Sequence, residues 1–437
     1  MRRQLVILAG GKGTRVQERL GDLPKPMIAI GGKPLLEHQL ELARRHGFRE
    51  ILILAAHRAE AITAYFGDGH RWGIEVATRV ETVPLGTAGA VLGAFPLLAE
   101  RFVVMYGDTM LNVDLDRFAE AHRQSGADAT LFLHPNDHPL DSDLVEADAD
   151  GWIQAFHSRP HPPGACYQNL VNAALYAIEK SALEAWVVPE RASDFGKDLF
   201  PAMLQRGQRL LGYRSPEYIK DIGAPDRHDR ICEEYSAGVV QRSSWGTPQP
   251  AVFLDRDGTL NIEIDGVTAP DQVRLLAGVP AAVRDLNRCG YRAVVVTNQP
   301  VVAKGRCTAV DVQQVHNRLE MLLGQEGAYL DRIYYCPHHP EAGFPGERAE
   351  LKIQCACRKP GIGMIERATQ ELAIDRSRSW LIGDSPRDIQ TAANAGLKSI
   401  LLRTGSGGSD QRYPAVPDFI FDTLARAVQF ILQQQTA

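Results

Sequence analysis

Two carboxylates stand two residues apart in Leu254-Asp255-Arg256-Asp257-Gly258-Thr259-Leu260, directly after an apolar run. Across a turn such a pair can face one phosphate, one attacking phosphorus and the other handling the leaving-group proton. A second constellation is Cys336-Pro337-His338 followed by Cys355-Ala356-Cys357. Cys-x-His with Cys-x-Cys supplies four soft or borderline donors, the ligand set of a closed and hence structural Zn2+ site. His339 is left outside that set. A third constellation is Leu8-Ala9-Gly10-Gly11-Lys12-Gly13-Thr14-Arg15, with a further cation in Leu23-Pro24-Lys25-Pro26-Met27. Glycines in a strand-to-helix turn let backbone N–H groups approach phosphate oxygens, while Arg15 and Lys25 supply charge. The spacing is not a Walker A loop, and a dinucleotide fingerprint would need glycine where Val16 stands.

These residues sit where predicted elements end. Residues 4–9 form a short apolar run that stops on glycines, the pattern of a parallel strand buried on both faces. Residues 35–46 predict an amphipathic helix and 50–55 a second strand, and the strand over 102–106 stops at Gly107-Asp108. The same grammar restarts at 251–254, ending on Asp255, at 291–296, ending on Thr297-Asn298, and at 379–382, ending on Gly383-Asp384. A short strand and a closing helix follow over 418–431. Strands alternating with helical stretches predict two doubly wound, three-layer α/β domains. A Ser-, Gly- and Pro-rich stretch predicts a linker over 236–249, between domains at 1–235 and 250–437.

Composition narrows the class. The 437 residues favour more than one domain, and 44% hydrophobic with 23% charged residues is ordinary for a soluble protein. Lys+Arg of 48 against Asp+Glu of 53 gives a net charge of −5, without the positive footprint of a nucleic-acid binder. No apolar run matches a membrane span and the N-terminus lacks a signal-peptide layout, so a cytoplasmic protein with no membrane partner is expected. Seven cysteines, an odd and low count, argue against a disulfide framework. Cys166, Cys232, Cys289 and Cys307 are expected to be small buried hydrophobes.

Together, the LAGGxGTR and PKPM segments resemble the sugar-1-phosphate nucleotidyltransferase family, over about residues 4–230. The resemblance implies a GT-A/Rossmann-like domain in which Gly10, Gly11, Gly13 and Thr14 hold the nucleotide phosphates, with Gly86 and Thr87 of Pro84-Leu85-Gly86-Thr87-Ala88-Gly89 on the nucleobase side. It implies Mg2+ on Asp108 and on Asp221 of Asp221-Ile222-Gly223-Ala224-Pro225, and a sugar phosphate near Arg159, Asn172 and Lys197. A sugar-1-phosphate oxygen would attack the α-phosphorus of a nucleoside triphosphate in line, with Arg15 and Lys25 stabilising the charge that gathers there. The chain departs from the family at Ser158, where Glu is frequent, at Ala174, where a small Gly is common, and at Gly196, where Glu is frequent.

The DRDGT segment resembles the haloacid-dehalogenase (HAD) phosphohydrolases. The resemblance implies Asp255 as nucleophile, Asp257 as general acid and base, Thr297 and Asn298 on the phosphoryl oxygens, and Lys359 neutralising the aspartyl-phosphate. It also implies Mg2+ on Asp255, Asp384 and the Asp257 carbonyl, with Asp388 one helical turn beyond and outside the metal's direct ligands. The stretch between Asp255 and Thr297 is too short for a large cap, so a capless Rossmannoid with a zinc loop is expected. Heptose bisphosphate phosphatases and histidinol-phosphate phosphatases share this loop; Ala303-Lys304-Gly305-Arg306 is similar to the heptose group, although Pro300 and Val301 depart from it. Arg358 beside Lys359 is expected to contact substrate.

The two resemblances fit one sequence of reactions. A heptose 1,7-bisphosphate 7-phosphatase yields a heptose 1-phosphate, the acceptor a nucleotidyltransferase takes, and the implied product with GTP as substrate is GDP-heptose for bacterial surface polysaccharides such as lipopolysaccharide or S-layer glycan. The guanylyl choice follows from resemblance and reaction order. Another sugar or nucleotide, or a phosphatase of the histidinol type carrying a sugar-nucleotide sensor, remains open at this stage.

Overall fold

The computed structural model describes residues 3–11, 23–409 and 412–434. Lys12, Gly13, Thr14 and Arg15 therefore lie outside the described residues. Contacts divide the chain into two compact units, Met1–His134, Val145–Ser158 and Asn172–Trp245 against Pro135–Leu144, Arg159–Val171 and Gly246–Ala437. Two excursions from the first half of the sequence thus cluster with the second unit, where the Asn169 N–H donates to Glu320 Oε2 at 3.1 Å. The stretch expected as a linker carries a short helix, Val239–Arg242.

In the first unit, β1 (Gln4–Ala9) runs between two parallel neighbours, β2 (Glu50–Ala55) and, on its other side, the strand Arg101–Tyr106. Helix α1 (Leu35–Arg45) joins β1 to β2, and β3 (Glu75–Val80) extends the parallel run. The Arg101–Tyr106 strand is β4; β5 (Thr109–Asn112) follows it directly. Beyond β4 the sheet turns antiparallel with β6 (Val171–Glu179), so the sheet is mixed rather than wholly parallel. A separate antiparallel pair joins β5 to β7 (Tyr218–Asp221). Leu5, Ile7 and Ala9 pack with Ile51, Ile53, Val103 and Met105 in one core, which is why these strands read as continuous apolar runs.

In the second unit all six strands are parallel: β8 (Ala251–Leu254), β9 (Arg292–Asn298), β10 (Arg332–Cys336), β11 (Trp380–Gly383), β12 (Lys398–Leu402) and β13 (Phe419–Phe421). Their order is β10-β9-β8-β11-β12-β13, so the chain reverses direction across the sheet between β8 and β11. That reversal opens a crevice beyond the carboxyl ends of the strands, where open α/β sheets bind ligands. Alternate residues of β8 and β9 serve two cores, Val252 and Val295 on one face and Phe253 and Val294 on the other. Helix α2 (Ala309–Gly324) follows β9, and no cap domain interrupts the stretch from Asp255 to Thr297.

Three findings differ from expectation or extend it. Cys289 is exposed, and Cys166, Cys232 and Cys307 are half-buried, because Cys289 caps a helix, Cys166 and Cys307 lie in loops and Cys232 sits at the edge of a core on the helix Pro225–Ser236, none of them on a core-facing strand position. β9 runs on through Thr297 and Asn298, which places both at its last rungs instead of after it. Among the described residues no helix is long and apolar enough to cross a membrane.

Candidate active sites

The switch point of the second unit gathers the charged residues named above. Asp255 follows β8, its N–H donating to Ile382 O at 3.0 Å, and Asp384 follows β11. Lys359 is buried at 3% exposure, and its Nζ lies 2.9 Å from Asp255 Oδ1 and 2.5 Å from Asp388 Oδ1. Burial alone would lower the lysine pKa, but the two carboxylates outweigh it and hold the ammonium charged above the ordinary lysine range. Asp255, Asp384 and Asp388 each bring an oxygen within 4.8 Å of the others. Burial and then the Asp255 charge push the Asp384 carboxyl up, although the Ser406 N–H donates to it.

Three clustered carboxylates against one ammonium leave negative charge that a hard divalent cation would neutralise, so the donor set fits Mg2+. The backbone makes room for it. Gly258 has φ +78°, and a Cβ there would run into the Asp384 carboxylate.

Asp257 is held differently. Burial would raise its pKa, yet the Arg256 charge and donors from Arg256, Asn261 and Gln299 keep the carboxyl below its ordinary value. Thr297 is buried, and its Oγ1 accepts from Gln299 Nε2 at 3.0 Å. Both ends of the Asn298 amide are taken by Lys359, Nδ2 donating to its carbonyl at 3.1 Å and Oδ1 accepting its N–H at 3.0 Å. Asn298 thus fixes the segment that delivers Lys359. Arg358 donates from Nη1 to the His338 carbonyl at 3.1 Å.

Cys336, His338, Cys355 and Cys357 meet as the spacing implied, Cys336 at the end of β10 and the rest in the loop beyond it. Their donor atoms lie 3.2 to 3.6 Å apart along the contacts Cys336–Cys357, Cys355–Cys357, His338–Cys357, Cys336–Cys355 and Cys336–His338. Donors about 2.3 Å from a central ion would sit somewhat farther apart, so a tetrahedral metal fits with a slight expansion. Hydrogen bonding with Cys336 and Cys355, with His338 adjacent, holds Cys357 well below the ordinary thiol range, the ionisation a metal ligand needs.

In the first unit, Lys25 is buried at 8% exposure and its Nζ meets Asp108 Oδ2 at 2.5 Å. Asp108 follows β4 through Gly107, whose N–H donates to Leu8 O at 2.9 Å, and a Cβ on Gly107 would sit 3.1 Å from Pro26. The Pro-Lys-Pro turn is thereby pressed against the strand end that carries Asp108. Asp221 pairs in register with Thr109 across β7 and β5, and Ile222 N–H donates to Asp108 O at 2.8 Å, so the two acids sit on adjoining backbone. Arg227 Nη1 caps Asp221 at 2.8 Å. Each of the two carboxylates is paired with a cation, Asp108 with Lys25 and Asp221 with Arg227.

The other residues of this unit fall into place less simply. Gly86 has φ +73°, and Thr87 Oγ1 donates to Asp194 Oδ2 at 2.8 Å while accepting the Phe195 N–H at 3.0 Å. Thr87 therefore clasps its loop to the one that carries Asp194. Asp194 Oδ1 accepts the Lys197 N–H at 3.1 Å, and Asn172 Oδ1 accepts the Ala174 N–H at 3.3 Å. Ala174 itself adopts φ +58°, the conformation for which glycine is the common solution. Arg159 is committed to Asp141, at 2.7 Å to its carbonyl and 3.0 Å to its carboxylate, in the segment that clusters with the second unit. Gly10 follows β1, and Gly11 is exposed.

Sequence reasoning missed several residues. Glu81 directly follows β3; its Oε1 is buried without a hydrogen-bond partner among the described residues, and its Oε2 lies 3.3 Å from where a Gly10 Cβ would stand. Burial raises its pKa, against Arg79. Glu263 is pushed up to about 7 by burial and then by Asp257, Asp384 and Asp255, which marks it as a neighbour of the acidic cluster. Arg256 and Gln299 lie inside motifs that were recognised, but nothing in their spacing announces their partners.

Both halves of the chain match known proteins. A model of the nucleotidyl transferase family matches residues 4–236, and one of HAD-hydrolase-like proteins matches residues 356–427. D-glycero-beta-D-manno-heptose-1,7-bisphosphate 7-phosphatase of Escherichia coli K12 is 39% identical over 188 residues, covering 43% of this chain and 95% of the relative. UTP–glucose-1-phosphate uridylyltransferase of Synechocystis is 35% identical over 286 residues, covering 60% of this chain and 72% of the relative. A crystal structure of HddC from Yersinia pseudotuberculosis with GMP-PN aligns with 53% of this chain and 99% of its own, at 26% identity and a TM-score of 0.46. With two acids beside a buried lysine at the strand ends of the first unit and an acidic crevice at the switch point of the second, the chain belongs to the nucleotidyl transferase family through its first half and to the HAD-type heptose bisphosphate phosphatases through its second.

Proposed function

We propose that the chain removes the 7-phosphate of D-glycero-D-manno-heptose 1,7-bisphosphate and transfers a guanylyl group from GTP to the resulting heptose 1-phosphate. The observation that carries the first activity is Asp255 held by the buried Lys359 at the switch point, with Asp384 across the crevice. Lys359 orients Asp255 for attack on phosphorus and offsets the charge of the phosphorylated aspartate. Asp257, held ionised by its donors in the free protein, takes up a proton when the phosphate dianion brings its charge beside it, gives that proton to the departing sugar oxygen and then takes one from water. Mg2+ bound by Asp255, Asp384 and the Asp257 carbonyl would supply charge neutralisation at the phosphoryl group, as it would on Asp108 and Asp221 of the first unit. Zn2+ on Cys336, His338, Cys355 and Cys357 would anchor the loop that leads to Arg358 and Lys359.

In the nucleotidyl transfer, a sugar-1-phosphate oxygen bonds to the α-phosphorus and pyrophosphate departs. Lys25 and Arg15 are the cations assigned to that centre, Lys25 being oriented through Asp108. Glu81 supports guanine as the base. A carboxylate is an acceptor only, and guanine places two donors, N1–H and the N2 amino group, side by side on one edge. Uracil offers a single N–H between two carbonyls, which a carboxylate repels. The buried Oε1, without a hydrogen-bond partner among the described residues and beside the glycine turn, is what such an edge would satisfy. A uridylyl reading draws support from the Synechocystis relative, whose name specifies UTP.

Phosphorus NMR of the protein with Mg2+, equimolar GTP and UTP, and the heptose 1,7-bisphosphate tests the whole reading. Free phosphate should appear first and the pyrophosphate-diester doublets of GDP-heptose second. Asp255→Asn should abolish the first signal, and Glu81→Gln should shift the second toward UTP. Consumption of UTP in preference to GTP by the unmodified protein overturns the guanylyl assignment. An untouched bisphosphate with cleavage of histidinol phosphate overturns the heptose assignment.

A further inference from the structure

The Asp257 carboxylate is surrounded by donors. Its Oδ1 accepts from Arg256 Nε at 3.0 Å and Asn261 Nδ2 at 2.9 Å. Its Oδ2 accepts from Arg256 Nη2 and from Gln299 Nε2, both at 2.8 Å. Two oxygens of a carboxylate offer about four acceptor sites, so these contacts fix the group in both tilt and rotation. The four donors do not pull the same way. Arg256 is the neighbour in sequence, and Asn261 belongs to the same turn, where its carbonyl also takes the Gly258 N–H. Both draw the carboxylate back toward its own loop.

Gln299 comes from the end of another strand. It is 1% exposed, and its N–H donates to Cys336 O at 2.8 Å, anchoring it on β10. Its Nε2 is shared between Asp257 Oδ2 and Thr297 Oγ1, the latter at 3.0 Å. Gln299 is thus the donor that draws Asp257 toward the β9 end, where the phosphoryl group is to be handled. Without it, the Arg256 fork and Asn261 would hold the carboxylate against its own turn.

We propose that Gln299 is a positioning residue that aims the Asp257 carboxyl at the leaving-group oxygen. The inference rests on the phosphatase reading given above. In the step concerned, an Asp255 oxygen bonds to phosphorus, the P–O bond to the sugar breaks, and its electron pair goes to the sugar oxygen, which takes the proton from Asp257. Water then loses a proton to Asp257 as its oxygen bonds to phosphorus, phosphate departs and Asp255 is free again. A poor leaving group such as a sugar alkoxide needs that first proton; a nitrophenolate does not. A purely structural defect would slow both substrates alike.

The test compares kcat/KM, which covers steps only through loss of the leaving group, for the heptose bisphosphate and for p-nitrophenyl phosphate. General acid catalysis contributes on the order of 100- to 10,000-fold. Asp257→Asn is the benchmark and should lose at least ~100-fold on the sugar phosphate and little on the aryl ester. Gln299→Met, of similar length without donors, should show the same bias at a smaller size, about 10-fold or more on the sugar phosphate and under about 3-fold on the aryl ester. If the Met protein does not fold, Gln299→Glu keeps the shape and turns an acceptor on Asp257, and the same bias is expected. An unbiased loss or no loss in the Gln299 variants, with the bias present in Asp257→Asn, overturns the positioning role alone. Absence of the bias in Asp257→Asn means the reading of Asp257 as the acid has failed, and the positioning role with it.

Discussion

Gly305 offers a test of how the loop after β9 is held. It adopts φ +69°, and a Cβ built there would lie 1.8 Å from the carbonyl oxygen of Gly346, where real Cβ contacts stay above 3.0 Å. Gly305→Ala must therefore drive the two segments apart by about 1.2 Å (3.0 − 1.8), and the partner atom is backbone, which cannot swing aside. The segments are joined by the Arg348 N–H donating to Ala303 O at 2.9 Å, and by Phe344, whose ring lies 4.5 Å from the ammonium groups of both Lys304 and Lys352. Left-handed backbone costs a non-glycine residue roughly 1–2 kcal/mol, and loss of the Arg348 hydrogen bond adds about 1 kcal/mol. The sum is about 2–3 kcal/mol, which in a unit of this size lowers Tm by roughly 4–12 °C. Gly346→Ala is the control: φ is +73° with nothing within 4 Å of its Cβ position, so it carries the backbone strain without the collision. Urea unfolding of the three proteins, with kcat/KM for phosphate release measured alongside, separates the two contributions. Gly305→Ala should be the less stable of the pair by about 1 kcal/mol and should slow phosphate release while leaving nucleotidyl transfer unchanged. Equal stability of the two alanine variants would refute the close packing of these segments.

His316, on α2, is 2% exposed with its ring edge-on to Tyr335, and burial followed by the Arg256 charge pushes its pKa down to about 3. The unfolded chain, with a histidine pKa near 6.5, binds a proton that the folded state refuses, so this stability is complete above pH 6.5 and is lost as pH falls. At pH 5 the loss is about 2 kcal/mol; it should disappear from urea melts of His316→Phe, and a pH dependence equal to that of the unmodified protein would count against the buried neutral ring. Ala174→Gly relieves a left-handed residue at φ +58°. Its gain of roughly 1–2 kcal/mol is partly offset by the greater freedom of glycine in the unfolded chain, about 0.4–1 kcal/mol, and a measured destabilisation would be the contrary result.

The chemistry-bearing residues were legible because each sits at a discontinuity in the hydrophobic pattern. Asp255 ends one apolar strand and Asp384 another, and Cys336, His338, Cys355 and Cys357 are residue types that seldom cluster without a metal. Less legible were residues whose meaning depends on direction. The spacing that points Asn298 at the phosphoryl group says nothing of its amide's two bonds to the Lys359 backbone. Nor does it announce that Arg159, the expected sugar-phosphate cation, pairs with Asp141 in a segment that clusters with the second unit.

By itself, then, the sequence determined the two α/β units, the strand ends that present the acids, and the four clustered Cys and His side chains, because strand burial and residue type are local properties of residue order. Only the tertiary structure decided that β6 enters the first sheet antiparallel, that β8 and β11 flank the crevice, and that Lys359 lies between Asp255 and Asp388. It also decided that Gln299 reaches Asp257 and that Glu81 stands beside Gly10. The physical reason is common to all of these. A hydrogen bond or ion pair acts over about 3 Å, and which groups approach that closely across dozens of intervening residues is set by strand order and packing, which no spacing along the chain records.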